Sequence, residues 1–256
     1  MHWAVKTALA IGSITALCFL GFLVVKLAGP VMRAARDAAI ASDCEKNLIS
    51  IGQAIEDYYI ENGHYPPAVV RDENGKPMHS WRVLILPFLG PEAQSTFSKY
   101  DMNKPWDAVE NRDCLVEMPP EFRCPADTTL AQDETSYLAI VGDRTVINKS
   151  GETVRSGSGT FVLTDQPTET MVVVEAVNCG VVWLEPRDIP VSTLRAGLNG
   201  SNAVGPASLH PQGVSTLMAD GSVFRLPEET TPEELKGMAT IDGDEYMPVL
   251  EELLFE

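Results

Sequence analysis

The sequence predicts an α+β protein in which one long N-terminal helix precedes a set of short β-strands. An uncharged apolar run and a helical apolar stripe fill roughly the first sixty residues. The remainder lacks long helical periodicity and contains short β-branched or aromatic runs separated by glycine and proline. About 230 residues follow the apolar run, enough for one domain with a substantial hydrophobic core.

The first element is the uncharged run at residues 7–25, which lies between Lys6 and Lys26. At about 1.5 Å per residue its helix would be roughly 28 Å long, close to the hydrocarbon thickness of a bilayer. A cleaved signal peptide is the alternative, but its apolar part would be shorter, about 7–15 residues, and would end in a small-residue cleavage site. We therefore expect residues 7–25 to cross a lipid bilayer once, in an orientation that the flanking basic residues do not determine.

The second element is an amphipathic helix from Val31 to about Glu61, after a helix end or kink at Pro30. Asn62-Gly63 provides a helix stop, because both residues tolerate the left-handed backbone that ends a helix. The apolar stripe of this helix consists of Ala41, Cys44, Leu48, Ile51, Ile55 and Tyr58.

Short strands and turns make up most of the remaining chain. Asp220-Gly221 predicts a tight hairpin. Ser80 is predicted to cap a short helix over Trp81–Leu86. The proline-rich segment Asp101–Asp127 is predicted to be an ordered loop. Thr231 and Glu234 form a capping-box pattern around a further short helix. The predicted strands are Ser136–Val141, Thr160–Leu163, Thr170–Glu175, Gly180–Leu184, Val214–Met218 and Ser222–Leu226.

The charge is strongly asymmetric and divides the chain into an anchor, residues 1–30, and an acidic domain, residues 31–256. All 36 acidic residues but only 17 of the 19 basic ones follow Lys26, which leaves a formal charge of −19. Such a field repels phosphate backbones, so we expect no nucleic-acid partner.

Four cysteines lie outside the apolar run: Cys44, Cys114, Cys124 and Cys179. An even number is compatible with two disulfides in an oxidising compartment, and three pairings are possible. Buried free thiols are the alternative. No two cysteines have C-x-x-C spacing and no histidine is close to them in sequence, so no zinc site is expected.

Catalytic signatures are scarce. His210 precedes the Asp220-Gly221 hairpin, so a folded-back segment would place an imidazole near Asp220, where the pair could orient a base. No nucleophile motif accompanies it, and a loop histidine bonded to backbone is the simpler interpretation. Glu175, at the end of an apolar strand, is either a partly buried carboxylate or the partner of an arginine or of backbone donors.

Two other segments contain residue types that occur in ligand sites. The acidic turn at residues 242–245 could attract calcium, but it lacks the spacing of a helix-loop-helix site. The glycine-rich segment from Gly200 to Gly205 follows no clear strand, so a phosphate site there is not expected. A glycan- or calcium-binding module using Trp106, Trp183 or the acidic loops is the second functional hypothesis, and an enzyme centred on His210 and Asp220 the third.

Eight fragments occur in order along the chain: AARDAAIASDCEKNLISIGQAIEDYYIENGHYPPA, SWRVLILPFLG, KPWDAVEN, FRCPAD, TSYLAIVG, TMVVVEA, VVWLEPRDIP and HPQGVSTLMADGSVFRL. Taken together, they resemble the planctomycete prepilin-like exported family known as domain of unknown function 1559. The resemblance covers about Ala34 to Leu226, and His210, followed after nine residues by Asp220-Gly221, resembles the C-terminal signature of this group.

The resemblance implies a pilin-like fold, with the long helix packed on an antiparallel sheet and the globular part outside the cytoplasm. It also implies a disulfide between Cys44 and Cys124, which leaves Cys114 and Cys179 as a second pair. One departure is that Gly21-Phe22, the match to a prepilin cleavage site, stands late in the apolar run and is followed by Lys26 instead of glutamate. A permanent anchor is therefore favoured over a cleaved filament subunit.

These expectations combine into one functional hypothesis. The chain is expected to be a non-enzymatic, single-pass, membrane-anchored pseudopilin-like envelope protein with a structural or interaction role. Its expected partners are the bilayer, through residues 7–25, and other envelope proteins. No catalytic residue, cofactor or metal site is expected.

Overall fold

The computed structural model describes residues 2–128, 131–148, 170–200 and 204–241, with side chains described from residue 21 onward except at 23 and 24. The chain divides into two compact units, residues 1–42 and 43–256. Within the first unit the described residues are helical throughout. Among the described residues, no helix has the length and apolar character needed to cross a membrane. Most side chains of the predicted anchor, residues 7–25, lie outside the described residues.

Helix α1 runs without interruption from His2 to Asn62 and contains Pro30. Of the two alternatives at Pro30, the helix end is therefore wrong, because a proline removes a single backbone donor and a long helix tolerates that loss. The predicted stop at Asn62-Gly63 is confirmed. Gly63 adopts φ +73° and donates its N–H to the carbonyl of Tyr59.

The second unit contains a two-stranded and a six-stranded sheet. Strands β1, Val69–Arg71, and β2, Pro77–Ser80, form the small antiparallel sheet. The large sheet has the order β4-β3-β5-β7-β8, with β6 also paired to β3. Its strands are β3 Tyr137–Gly142, β4 Ile147–Asn148, β5 Met171–Glu175, β6 Ile189–Pro190, β7 Val214–Met218 and β8 Val223–Leu226.

The large sheet is mixed, whereas the resemblance implied an antiparallel one. Strands β3, β5, β7 and β8 are antiparallel neighbours, but β4 and β6 run parallel to β3. The fold is α+β as predicted. The strands predicted at residues 136–141, 170–175, 214–218 and 222–226 are confirmed to within one residue.

Two other predicted strands had different outcomes. The segment Gly180–Leu184 contains only an isolated bridge between Val182 and Glu134. Gly180 has φ +59°, which breaks extended backbone, and the apolar residues here serve core packing instead: Trp183 is fully buried. Thr160–Leu163 lies outside the described residues.

The strands alternate between two hydrophobic clusters, as a period of two requires. Tyr137 and Ala139 of β3 lie in the same cluster as the C-terminal part of α1. Leu138 and Ile140 belong to a second cluster with helix α4, Pro232–Ala239. The sheet therefore has a covered α1 face and a covered α4 face. On the α1 face the cluster includes Cys44, Leu48, Ile51 and Ile55, so these members of the predicted stripe are buried as expected.

The shorter helices differ from prediction more than the strands do. Helix α2 spans Trp81–Leu84 and has no side-chain cap from Ser80, which instead ends strand β2. Helix α3, Pro91–Lys99, was not predicted. The expected loop at 101–127 contains two 3-10 helices, Val109–Glu117 and Pro120–Phe122. The capping box of Thr231 and Glu234 is confirmed at the start of α4.

Candidate functional site

Four buried side chains that are distant in sequence meet on the α1 face of the sheet. Their metal-binding atoms all lie within 4.8 Å of one another. One comes from α1, one from the segment after the Pro120–Phe122 helix, one from the end of β5 and one from the loop before β7. The four residues, called the Cys-His-Glu cluster below, are Cys44, Cys124, Glu175 and His210.

The centre of the cluster is the Nε2 atom of His210. It lies 3.2 Å from Sγ of Cys44, 3.3 Å from Sγ of Cys124 and 3.5 Å from Oε1 of Glu175. Cys44 and Cys124 are joined by a disulfide, which confirms the pairing implied by the family resemblance. One ring nitrogen of the imidazole thus lies close to both sulfurs of the disulfide and to the carboxylate.

The sheet register explains why Glu175 reaches this cluster. Glu175 is the register partner of Tyr137, a residue of the α1 face. Its neighbour Val174 packs in the cluster on the α4 face. Because successive side chains of a strand point to opposite faces, Glu175 is directed toward α1.

Hydrogen bonds hold the two cysteines in place. The backbone N–H of Cys124 donates to Oγ of Ser136 over 2.9 Å. The hydroxyl of Tyr137 donates to the carbonyl of Cys44 over 3.3 Å. Nδ2 of Asn47, one turn further along α1, donates to the carbonyl of Arg123 over 2.8 Å. Both sides of the disulfide are therefore fixed independently of the sulfur bond.

A tight loop positions His210. Its backbone N–H donates to Oγ of Ser208, and its carbonyl accepts from the N–H of Gly213. Gly213 has φ +111°, and an added Cβ would lie 2.1 Å from the carbonyl oxygen of Leu226. Only glycine fits this position, because the obstructing atom belongs to the backbone of strand β8.

Replacing Gly213 with alanine should lower the free energy of unfolding by about 2–3 kcal/mol, through backbone strain and the clash with Leu226. Gly221→Ala is the matched control: Gly221 also has positive φ, +86°, but nothing lies within 4 Å of its added Cβ. That variant should lose only about 1 kcal/mol. Urea titrations of both variants measure the difference, and equal losses would contradict the assigned clash.

Burial controls the electrostatics of the cluster. Desolvation raises the pKa of Glu175 to about 7, against opposing contributions from Ser208, the N–H of Ser215 and the charge of Arg225. Its Oε1 atom accepts no hydrogen bond from the described residues. Burial, together with the nearby charge of Glu175, also raises the pKa of the Tyr137 hydroxyl. A negative charge at Glu175 is therefore costly unless a cation or donor offsets it.

The structure does not place His210 beside Asp220, as the alternative of a catalytic pair would require. Oδ1 of Asp220 accepts from the backbone N–H and the hydroxyl of Ser222 within the β7–β8 turn. His210 precedes strand β7, whereas Asp220 follows it, so the strand separates them. Gly221, with φ +86°, completes the turn, which confirms the predicted hairpin.

The second implied disulfide, between Cys114 and Cys179, requires correction. Both residues are buried free thiols. Cys114 belongs to the hydrophobic cluster on the α1 face and Cys179 to the cluster on the α4 face, so the two sulfurs lie in different parts of the core. Burial raises the pKa of both thiols.

The residues of the predicted glycan- or calcium-binding module differ in their exposure to solvent. Trp183 is fully buried and donates its indole N–H to the carbonyl of Leu115, so it presents no face to a glycan. Trp106 is half-buried against the core. The acidic turn at 242–245 and residues 201–203 of the glycine-rich segment lie outside the described residues.

Residues 33–173 match the family described as "Protein of unknown function (DUF1559)". The chain belongs to this family. No curated protein and no solved structure matches it. The matched part of this DUF1559 protein contains Cys44 and Cys124 but ends before Glu175 and His210. The disulfide therefore lies inside the shared region, while the other half of the Cys-His-Glu cluster lies beyond it.

The sequence singles out all four cluster residues, each for a separate reason, but does not place them together. Cys44 and Cys124 are paired only by the family resemblance, and His210 is interpreted as a loop histidine bonded to backbone, with a pairing to Asp220 as the alternative. The two cysteines are separated by 80 residues and His210 lies 86 residues beyond Cys124. Two features of the sequence point toward the cluster. Glu175 is a carboxylate at the end of an apolar strand, and His210 lies in a loop that contains Gly213.

Proposed function

We propose that this DUF1559 protein is a non-enzymatic, pilin-like envelope protein, anchored by residues 7–25, with its domain outside the cytoplasm and a structural or interaction role. The observation that carries the proposal is the continuity of α1 from His2 to Asn62. One helix contains both the uncharged run and the residues that pack on strands β3, β5 and β7. That is the organisation expected of a prepilin-related protein, and the planctomycete prepilin-like group is the one it resembles.

Two features of the domain support this proposal. A disulfide such as Cys44–Cys124 persists in oxidising compartments, which agrees with export. His210 is 7 % exposed and the rest of its cluster is also buried, so a substrate has no open approach to these side chains. In the sequence that resembles the family signature, His210 lies against the disulfide and Asp220-Gly221 forms the β7–β8 turn. Both parts of the signature therefore have a structural role in this proposal.

An alkaline extraction experiment tests the anchor. Wild-type protein expressed in a Gram-negative host should stay in the membrane pellet. Leu17→Arg with Leu20→Arg should release it, because two charges at the centre of the run cost about 5–7 kcal/mol in membrane insertion. The matched control is Val31→Arg with Met32→Arg, which adds the same charges at exposed positions of the same helix outside the run.

The control should remain in the pellet. Extraction of the wild type, or retention of the Leu17/Leu20 variant, would contradict the anchor. A C-terminal epitope tag should bind antibody on intact spheroplasts, and binding only after lysis would contradict the extracytoplasmic domain. The membrane-bound protein should retain the residues before the apolar run, such as Trp3, because Gly21-Phe22 stands late in that run and is followed by Lys26 instead of glutamate. Loss of these residues would instead favour processing.

A further inference from the structure

We infer that the Cys-His-Glu cluster binds one zinc ion whenever the Cys44–Cys124 bond is reduced. The same four side chains would then have two states, a disulfide supported by His210 and a four-coordinate metal site. This inference concerns the domain itself and does not depend on whether residues 7–25 cross a membrane.

The distances fit a tetrahedral zinc site. Zinc binds thiolate sulfur at about 2.3 Å, imidazole nitrogen at about 2.0–2.1 Å and carboxylate oxygen at about 2.0–2.2 Å, so its ligands stand roughly 3.3–3.8 Å apart. Nε2 of His210 is 3.2 and 3.3 Å from the two sulfurs and 3.5 Å from Oε1 of Glu175. The main change needed is separation of the two sulfurs once their bond is broken.

The chemistry of the four ligands also fits zinc. Two thiolates, one neutral imidazole and one carboxylate resemble the sulfur and nitrogen sets of structural zinc sites, with a carboxylate as the fourth ligand. All four side chains are buried, as a closed structural site requires. The carboxylate is desolvated and its Oε1 accepts no hydrogen bond from the described residues, so a cation there would remove an existing cost.

The conversion between the two states is balanced. A dithiol reductant transfers two electrons and two protons to the Cys44–Cys124 bond and becomes a disulfide itself. Zinc then binds both sulfurs and releases their two protons to solvent, because thiolates are the ligands. Reoxidation reverses these steps: the zinc leaves and a disulfide oxidant accepts the two electrons.

Two cysteines outside the cluster, Cys114 and Cys179, provide an internal control. They are buried in the separate hydrophobic clusters of the two sheet faces. Among the described residues, the Cys-His-Glu cluster is the set of four that places its ligand atoms within 4.8 Å. Zinc binding that depends on reduction should therefore require Cys44 and Cys124 but tolerate loss of Cys114 and Cys179.

Zinc itself is the probe. Full-length protein is reduced with a phosphine, which is converted to its oxide, and is then incubated with zinc without oxygen and freed of unbound metal. Reduced wild type should retain about one zinc per chain, and the oxidised protein should retain none. His210→Ala and Glu175→Gln should each weaken binding at least about 10–100-fold in competition with a chelator. Substituting Co²⁺ should give the absorption bands of tetrahedral thiolate coordination.

Cys114→Ala with Cys179→Ala is the matched control and should bind zinc like the wild type. Each variant is first compared with wild type by circular dichroism in the oxidised state, where the disulfide is intact, so that misfolding is detected separately. The inference is overturned if the reduced wild type retains no more zinc than the oxidised protein. It is also overturned if His210→Ala binds as tightly as wild type, or if the control variant loses binding.

Discussion

Replacing both Cys44 and Cys124 with alanine should lower the free energy of unfolding by about 4–5 kcal/mol in the presence of a chelator. The bond joins residues 80 positions apart. For a loop of that length, the lost constraint on the unfolded chain is worth about 4.5 kcal/mol. That is a large part of the total stability of a typical domain, about 5–15 kcal/mol.

Urea titration of the full-length protein measures this loss, with fluorescence of the buried Trp81 and Trp183 as the signal. Wild type reduced in the same chelator is the matched control, because it lacks the bond without any change of sequence. It should lose nearly as much as the alanine variant. A loss below about 1 kcal/mol in both samples would contradict the predicted contribution of the disulfide, and the packing of α1 on the sheet would then be the main source of stability there.

The sequence was informative wherever structure is determined locally. The stop at Asn62-Gly63, the hairpin at Asp220-Gly221 and the capping box at Thr231 depend on backbone preferences of one to four neighbouring residues, and all three were predicted correctly. Gly180–Leu184 was predicted incorrectly because apolar residues serve strands and irregular core segments alike. Trp183 is buried by packing without belonging to any strand.

The Cys-His-Glu cluster could not be predicted because it depends on long-range pairing. Glu175 reaches the α1 face only because it is opposite Tyr137 in the sheet, and a shift of one residue would reverse its direction. The family resemblance supplied the Cys44–Cys124 pair. It included His210 in a C-terminal signature but did not place this histidine beside the sulfurs, because that contact depends on the position of the loop before β7.

The buried ion pair between Arg82 and Asp188 should be the other position where a single substitution has a large effect. Nη2 of Arg82 lies 2.6 Å from Oδ1 of Asp188, and the two side chains are 0 % and 2 % exposed. The same oxygen accepts from the indole N–H of Trp81 and from the backbone N–H of Ala139. The pair thus joins helix α2, strand β3 and the segment before β6.

The Arg82 guanidinium also forms several hydrogen bonds besides its ion pair. Its nitrogens also donate to the backbone carbonyls of Tyr137, Glu185 and Arg187, over 3.3, 3.3 and 3.4 Å respectively. Its carbon lies 4.8 Å from the centre of the Trp81 ring. Removing either charge would therefore leave the other charge buried without its counter-ion, together with several polar groups that have no access to water.

We expect Arg82→Met to lower the free energy of unfolding by about 3–5 kcal/mol, because methionine approximates the volume but leaves the Asp188 carboxylate uncompensated. Asp188→Asn should cost a similar amount. The double variant should cost less than the sum of the two, because neither charge is then left alone.

Lys46→Met is the matched control, since Lys46 forms an ion pair with Asp43 at the same close range, 2.8 Å, but the two side chains are 68 % and 55 % exposed. Its loss should be below about 0.5 kcal/mol, because solvent screens exposed pairs. Urea titrations of the four variants give all the differences. If Arg82→Met cost no more than Lys46→Met, the buried pair would not stabilise the junction of α2 and β3. Strictly additive losses would instead show that the two charges act independently.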